Sequence, residues 1–341
     1  MTQQYTAQSL ITESAHWPSG TPLGEDAVES ARRHAVLAIQ RFIAEEQLPQ
    51  GYASVFPALI IPMAAWLLRE QRQAGYPLRV GLSGSQGSGK TTLARGLRLV
   101  LHHCFAASSC VLSLDDFYLP RTQRQSLARA VHPLLATRGV PGTHDVELLA
   151  RTISRLQTAD PHDSIRIPHF DKAQDDRAPT SSHTVVQGRP DIILMEGWCL
   201  GAEPQPEQAL QSPVNALESE EDPEGLWRRY VNHQLSGAYQ DLFGELDRLF
   251  FVRAPSWQAV CDWRLLQEAK LIRQRGDEYR GHLDEGPQFE RFMAHFERIT
   301  RAMLERPPTG TDGLLHLDEH QRFVSMDFEP RNERQAQTEE S

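Results

Sequence analysis

The run Gly84-Ser85-Gln86-Gly87-Ser88-Gly89-Lys90-Thr91 restricts what this chain can fold into more than any other segment. It fits G-x-x-x-x-G-K-[ST], follows the apolar run Leu78–Leu82 and precedes the helix-like run Thr92–His103, the strand–loop–helix context that the motif requires. Glycines at 84, 87 and 89 permit positive φ, so successive backbone N–H groups can converge on an anion at a helix N-terminus. A triphosphate fits that nest, with contacts expected from Gly84, Ser85, Gln86, Gly87, Ser88, Gly89, Lys90, Thr91 and Thr92. Lys90 is expected to reach the β- and γ-phosphates. The Thr91 hydroxyl is expected to hold Mg²⁺, an oxygen-preferring ion that keeps several waters.

Around this loop the pattern changes along the chain. Residues 1–75 read as a helical extension, with apolar positions at Ala35, Leu37, Ile39, Phe42 and Ile43 and no strand-like alternation. From Leu78 onward, short apolar runs bounded by Gly, Asp and Ser alternate with helical stretches, the signature of a parallel sheet built from βαβ units. Strands are expected at Leu78–Leu82, Cys110–Leu114, Ile165–Pro168, Asp191–Met195, Arg248–Val252 and Leu314–Leu317, within a core domain at 76–325. Residues 203–225, rich in Pro, Glu, Gln and Ser and acidic at Glu218–Asp222, read as a solvated insertion without function. Residues 284–300 read as a helix-containing segment and 326–341 as a polar, disordered tail.

A triphosphate loop leaves open where the γ-phosphate goes, and the acids after the neighbouring strands address that. Asp115-Asp116-Phe117-Tyr118 follows the Cys110–Leu114 run, at the carboxyl end of a strand, where α/β sheets bind ligands. A carboxylate there can orient an acceptor hydroxyl and take its proton. Asp115 is favoured for that role, with Asp116 as a supporting acid or a cap, although both could merely cap a turn. Asp191–Gly197 is a buried strand ending in Glu196, placed to join Thr91 beside Mg²⁺. Arg138-Gly139-Val140-Pro141-Gly142-Thr143-His144-Asp145 and the stretch from Ile167 through Lys172 to Arg177 offer cations and donors to a small anion, for which the planar fork of Arg is suited. Arg264, on a helix after the Arg248–Val252 strand, could close over the nucleotide and stabilise transferred charge. A solvated helix face would look the same.

Composition excludes several classes. The chain has 341 residues, 40% of them hydrophobic, so it can bury a sizeable core without disulfides. Its net charge of −10 argues against a general nucleic-acid binder, because that affinity comes from Lys and Arg neutralising phosphates. Cys104, Cys110, Cys199 and Cys261 form no C-x-x-C pair, and the first twenty residues carry neither a basic start nor an apolar stretch, so reduced thiols and a cytoplasmic location are expected. The apolar run Tyr52–Leu68 is about 17 residues long, short of the roughly 20 needed to span a bilayer, and is broken by Pro57 and Pro62, so it reads as a core element with a helix at Met63–Gln73. No membrane partner is expected, and the sequence sets no oligomeric state.

Taken together, Gly84–Thr91, Ser113-Leu114-Asp115-Asp116-Phe117-Tyr118, Arg138-Gly139 with Pro141–Asp145, Ile167–Lys172, Glu196-Gly197-Trp198 and Trp263-Arg264-Leu265 resemble the plant-type D-glycerate 3-kinases, P-loop kinases related to phosphoribulokinase, uridine kinase and pantothenate kinase. The resemblance covers about residues 50–320. It implies a three-layer α/β/α sandwich with a mainly parallel sheet, ATP and Mg²⁺ as cofactors, and phosphorylation of D-glycerate at its 3-hydroxyl. It also implies that Asp115 is the catalytic base; on the reading of the residues given above, Lys90 and Arg264 are expected to assist transfer. Asp116, Tyr118, Arg138, His144, Asp145, Lys172 and Arg177 become acceptor-side candidates. Alternatives are a kinase for another small alcohol (a nucleoside, a pantothenate-like acid or a sugar phosphate), a P-loop NTPase acting on a protein partner, and a nucleotide-binding regulator without turnover. Against the NTPase, the chain has no guanine-reading N-K-x-D tetrapeptide and no repeat or coiled coil to transmit motion.

Overall fold

The structure, a computed structural model, describes residues 3–6, 25–275 and 286–330. In chain order the strands are β1 (Gln3–Thr6), β2 (Leu78–Gly84), β3 (Ser109–Ser113), β4 (Ser164–Ile167), β5 (Phe170–Asp171) and β6 (Asp176–Arg177). They continue with β7 (Thr184–Gln187), β8 (Ile192–Gly197), β9 (Arg248–Arg253), β10 (Gly313–Leu317) and β11 (Phe323–Phe328). The longer helices are α1 (Glu25–Glu45), α2 (Ile61–Ala74), α3 (Lys90–Phe105), α4 (Arg121–Ala130), α5 (Val146–Thr158), α6 (Leu226–Gln234), α7 (Trp257–Arg275) and α8 (Pro287–Glu305).

Seven strands form one sheet in the order β1-β11-β10-β9-β2-β8-β3, parallel from β10 through β3 and antiparallel at β11 and β1. Alternation along the strands assigns each face its own layer. Leu78, Val80 and Leu82 of β2, with Ile192 and Leu194 of β8 and Phe250 and Val252 of β9, pack against α1, α2, α3 and the start of α7. Ile193, Met195, Leu249 and Phe251 point the other way, onto α5, α6 and α8. Helices therefore cover both faces, giving the expected three-layer α/β/α sandwich. The central strand β2 carries the phosphate-binding loop and lies between β8 and β9, so the loop emerges where the strand order changes direction.

Several expectations are corrected. The Ile165–Pro168 run is not in the main sheet: β4 pairs antiparallel with β7 in a separate hairpin, having only one buried face (Ile165 and Ile167), whereas a central parallel strand is buried on both. The helical extension is no appendage, because Val28, Ala35, Ile39 and Phe42 of α1 enter the same core as Leu97 and Leu101 of α3. Nor is it wholly helical, since β1 pairs with β11. A boundary at 325 cuts through β11, whose Met326 and Phe328 are buried, so the disordered tail cannot begin at 326; residues 331–341 lie outside the described part. Residues 284 and 285 also lie outside it, and the helix expected there begins at Pro287.

The helical run Gly51–Ala74 is long and apolar enough to cross a membrane by length and composition. Most of it is packed inside the protein: Phe56, Leu59, Ile60, Ile61, Met63, Ala64, Trp66 and Leu67 are buried, and Trp66 meets Phe250 and Phe328 edge-on. It is a core element, as read from the sequence.

The acidic insertion is the largest correction. Glu218 and Asp222 are buried, not solvated. Glu218 accepts two hydrogen bonds from the Arg298 guanidinium, at 2.7 and 2.5 Å, and Asp222 pairs with the buried Arg228 at 3.1 Å. Charge runs read as surface only when their counter-ions are unseen, and these lie up to eighty residues away. Breaking such a pair strands a buried charge, which costs about 3–5 kcal/mol. Glu218→Ala is therefore expected to lower the denaturation midpoint by an amount equivalent to that range in a urea titration. Exposed Glu220→Ala should stay within about 0.5 kcal/mol of the parent.

Candidate active site

At the carboxyl end of β2 the chain turns through Ser85–Gly89 into α3, with Gly89 as the left-handed residue preceding Lys90 at φ 81°. Gly87 is also left-handed, at φ 73°, and a β-carbon there would stand 2.7 Å from that of Trp263 on α7. The Gly87 carbonyl accepts from Gln321 Nε2 at 2.7 Å, and Lys90 Nζ donates to the Ser85 carbonyl at 3.3 Å. Ser85 Oγ, Gln86 Oε1 and Ser88 Oγ are buried without a hydrogen-bond partner. Buried polar atoms are nearly always satisfied, so three orphans in one loop mark a place built for a polar guest. With the open backbone at Gly89 and the helix N-terminus, this cradle fits the phosphates of a nucleotide.

Glu196 lies next to that loop because of strand register: it sits opposite Leu82 on one side and Ser113 on the other. Its Oε1 accepts from the Thr91 hydroxyl at 3.1 Å, and its Oε2 is 4.0 Å from Lys90 Nζ. A hydroxyl and a carboxylate side by side suit a hard cation such as Mg²⁺, which completes its shell with water and phosphate oxygens. No cluster of three or more His, Cys, Asp or Glu that could hold a metal ion occurs among the described residues.

Asp115 follows β3, two residues beyond the position opposite Glu196, with 31% of its side chain open to solvent. Its Oδ1 accepts from the Tyr118 hydroxyl at 2.8 Å and its Oδ2 from Lys172 Nζ at 2.6 Å. Desolvation works against the charge on Asp115, but the ammonium groups of Lys172 and Lys90 and the Tyr118 hydroxyl outweigh it and hold the carboxyl well below the usual range. Tyr118 stacks on His144, ring centroids 4.5 Å apart, and burial pushes its phenol far up. His144 Nδ1 meets the Tyr239 hydroxyl at 2.7 Å, and burial lowers its pKa to about 4, so the imidazole is neutral near pH 7.

The remaining candidates separate into two groups. Arg138 reaches the Lys172 carbonyl at 3.4 Å and pairs with Asp175 at 2.5 Å, while Arg177 donates to the Tyr118 carbonyl at 3.1 Å and to Asp145 at 2.6 Å. Arg177 thus reaches the Tyr118 backbone and Arg138 the backbone of Lys172, the residue that holds Asp115. Asp116 instead accepts from His169 at 2.8 Å and from the Phe170 amide at 3.2 Å, fixing the strand that leads to Lys172, and its burial raises its pKa. Asp145 caps α5 through the Leu148 amide. Asp116 thus braces the His169–Phe170 turn, and Asp145 braces Arg177 and the start of α5. Arg264 is engaged by Glu268 and lies over the Phe292 ring at 5.7 Å; it makes no hydrogen bond or ion pair with Asp115 or the loop.

No protein-family model matches the chain. It is 33% identical over 215 residues to the uncharacterized kinase mug58 of Schizosaccharomyces pombe, an alignment covering 60% of this chain and 75% of that one. It is 29% identical over 246 residues to the chloroplastic D-glycerate 3-kinase of Arabidopsis thaliana, covering 69% of this chain and half of the plant protein's length. The chain belongs to the D-glycerate 3-kinase family of P-loop kinases. Its fold matches the solved D-glycerate 3-kinase of Cryptococcus neoformans with a TM-score of 0.65 at 23% identity, over 79% of this chain and 97% of that one. It is an ATP-dependent kinase, a phosphotransferase.

Sequence reasoning missed residues that organise this kinase's site. Arg124, fully buried, donates to the Leu119, Ala136 and Asp175 carbonyls and lies 5.8 Å over Phe170, which Arg138 flanks at 5.6 Å. It straps the β5–β6 hairpin that carries Lys172. Tyr239 accepts from the Gly142 amide as well as meeting His144. The sequence carries no local signal for either, since their partners are remote.

Proposed function

We propose that the kinase transfers the γ-phosphate of ATP to the 3-hydroxyl of D-glycerate, with Asp115 orienting that hydroxyl and receiving its proton. What supports this most is the company Asp115 keeps: Lys172 on its carboxylate, with Arg138 and Arg177 one shell out, beside a phosphate cradle. A substrate bearing a carboxylate next to its alcohol would answer both the cations and the acid. Thr91 and Glu196 would hold Mg²⁺, which when bound neutralises charge on the transferring phosphates.

Lys90, the first residue of α3, would reach the end of the triphosphate and supply a fixed charge near the developing negative charge. As the acceptor oxygen bonds to the γ-phosphorus, the bond from that phosphorus to the β–γ bridging oxygen breaks. Its electron pair leaves with ADP, and the hydroxyl proton passes to Asp115. Neutral His144, packed under Tyr118, keeps the Tyr118 hydroxyl aimed at Asp115 without adding charge. Because phosphoryl transfer proceeds through a loose transition state, the proton moves late, and a carboxylate held strongly acidic can still serve by positioning the oxygen.

The test is ADP release from Mg-ATP with a panel of small hydroxy acids, nucleosides, pantothenate and sugar phosphates. Release above the hydrolytic background with D-glycerate, and recovery of 3-phosphoglycerate, is expected; release with a nucleoside or pantothenate alone would defeat the proposal. Arg138→Ala removes a charged donor worth about 1.5–3 kcal/mol and should raise the acceptor KM by roughly 10–100-fold while the ATP KM stays nearly constant. An equal rise in both would take Arg138 out of the acceptor site.

A further inference from the structure

Both oxygens of the Asp115 carboxylate already hold a donor, Tyr118 on Oδ1 and Lys172 on Oδ2. Each oxygen keeps a second lone pair, but a hydroxyl that approaches Oδ2 shares that oxygen with a full positive charge, which lowers its hold on the incoming proton. The two donors are unequal. Tyr118 is 4% exposed, stacked on His144 and edge-on to Phe170, so it has no room to leave. Lys172 has 57% of its side chain in solvent, on a flexible four-carbon stem. Its backbone stays put, because Arg124 and Arg138 both bind Asp175 in the same hairpin. The neighbouring guanidinium groups pair elsewhere, Arg138 with Asp175 and Arg177 with Asp145, which leaves Lys172 as the acceptor-side cation that holds Asp115 itself.

We infer that Lys172 is a latch on Asp115 which the carboxylate of the acceptor lifts, so that the enzyme selects hydroxy acids over neutral alcohols by freeing its proton acceptor only when an anionic group is bound. The inference rests on the reading of Asp115 and of a hydroxy-acid substrate given above. An ammonium shared with a second carboxylate binds the first less strongly, so Oδ2 opens toward the hydroxyl as the substrate settles. Proton affinity follows, since desolvation would raise it once the Lys172 charge is drawn away. An alcohol of the same shape without the carboxylate leaves the latch closed.

Three probes separate the parts of this idea on the full-length protein with Mg-ATP: D-glycerate, glycerol, which replaces the carboxylate by an alcohol, and D-lactate, which keeps the carboxylate but lacks the 3-hydroxyl. D-Lactate is expected to stimulate wild-type ATP hydrolysis several-fold, water taking the place of the missing hydroxyl. In Lys172→Met, that stimulation should vanish and kcat/KM for D-glycerate should fall by about 10–100-fold, while kcat/KM for glycerol rises. Asp115 works ionised, so activity is lost as pH falls through its pKa. Removing the cation raises that pKa, and the acid limb of the glycerol kcat/KM profile should move to higher pH. Lys172→Arg keeps the charge and should keep the preference for the acid. The latch is overturned if D-lactate leaves wild-type hydrolysis unchanged, or if Lys172→Met loses glycerol and D-glycerate turnover equally with an unmoved acid limb. A wild type that phosphorylates no hydroxy acid at all sinks the substrate reading itself, and the latch with it.

Discussion

Asp115→Asn should lower kcat by about 10²–10⁴, or roughly 3–5 kcal/mol of transition-state stabilisation, with the KM for ATP nearly unchanged. The substitution conserves shape, and an amide oxygen can still accept one hydrogen bond. It cannot take a proton, and its amide nitrogen must turn a donor toward either Tyr118 or Lys172, both of which already donate. Orientation of the acceptor and its eventual deprotonation are therefore lost together. Steady-state kinetics with acceptor and ATP varied in turn make the measurement. A kcat within a factor of two or so of wild type would remove Asp115 from the mechanism.

Lys90→Met should bring turnover down to the hydrolytic background, a loss of at least about 10³-fold, because it deletes a preorganised charge where the transferred group becomes more negative. Methionine keeps much of the stem but loses the hydrogen bond to the Ser85 carbonyl and leaves the buried Glu196 without the ammonium 4.0 Å away. ATP affinity should weaken too, which titration calorimetry with Mg-ATP would register separately from the chemical step. A variant retaining a tenth or more of wild-type kcat would show that the charge at this position is dispensable for transfer.

Much of this architecture was legible in the sequence because its causes are local. Glycine spacing between an apolar run and a helical one defined the cradle, and acids after buried strands are brought to one edge by any parallel sheet, so Asp115 and Glu196 fell beside it. Features whose causes are remote were not legible. The acidity of Glu218 and Asp222 reads as a solvated surface until Arg298 and Arg228 arrive from other helices. Ile165–Ile167 has the apolar content of a core strand, and only its partner Thr184–Gln187 reveals an outlying hairpin. The hydrogen bonds of Asp116 to His169 and Phe170, and of Asp145 to Leu148 and Arg177, were likewise invisible in the sequence, because their partners are set by the fold. β1 is too short and too polar to be distinguished from a loop before β11 lies next to it.

The close approach of Gly87 to Trp263 ties two parts of the enzyme into one mechanical unit. Because the loop backbone rests on the β-carbon and main chain of α7, with Trp263 anchored in turn to the Glu319 carbonyl, any tilt of that helix is felt at the triphosphate cradle. Attempts to re-engineer nucleotide preference by altering either position alone would disturb the other, and the two are best varied as a pair.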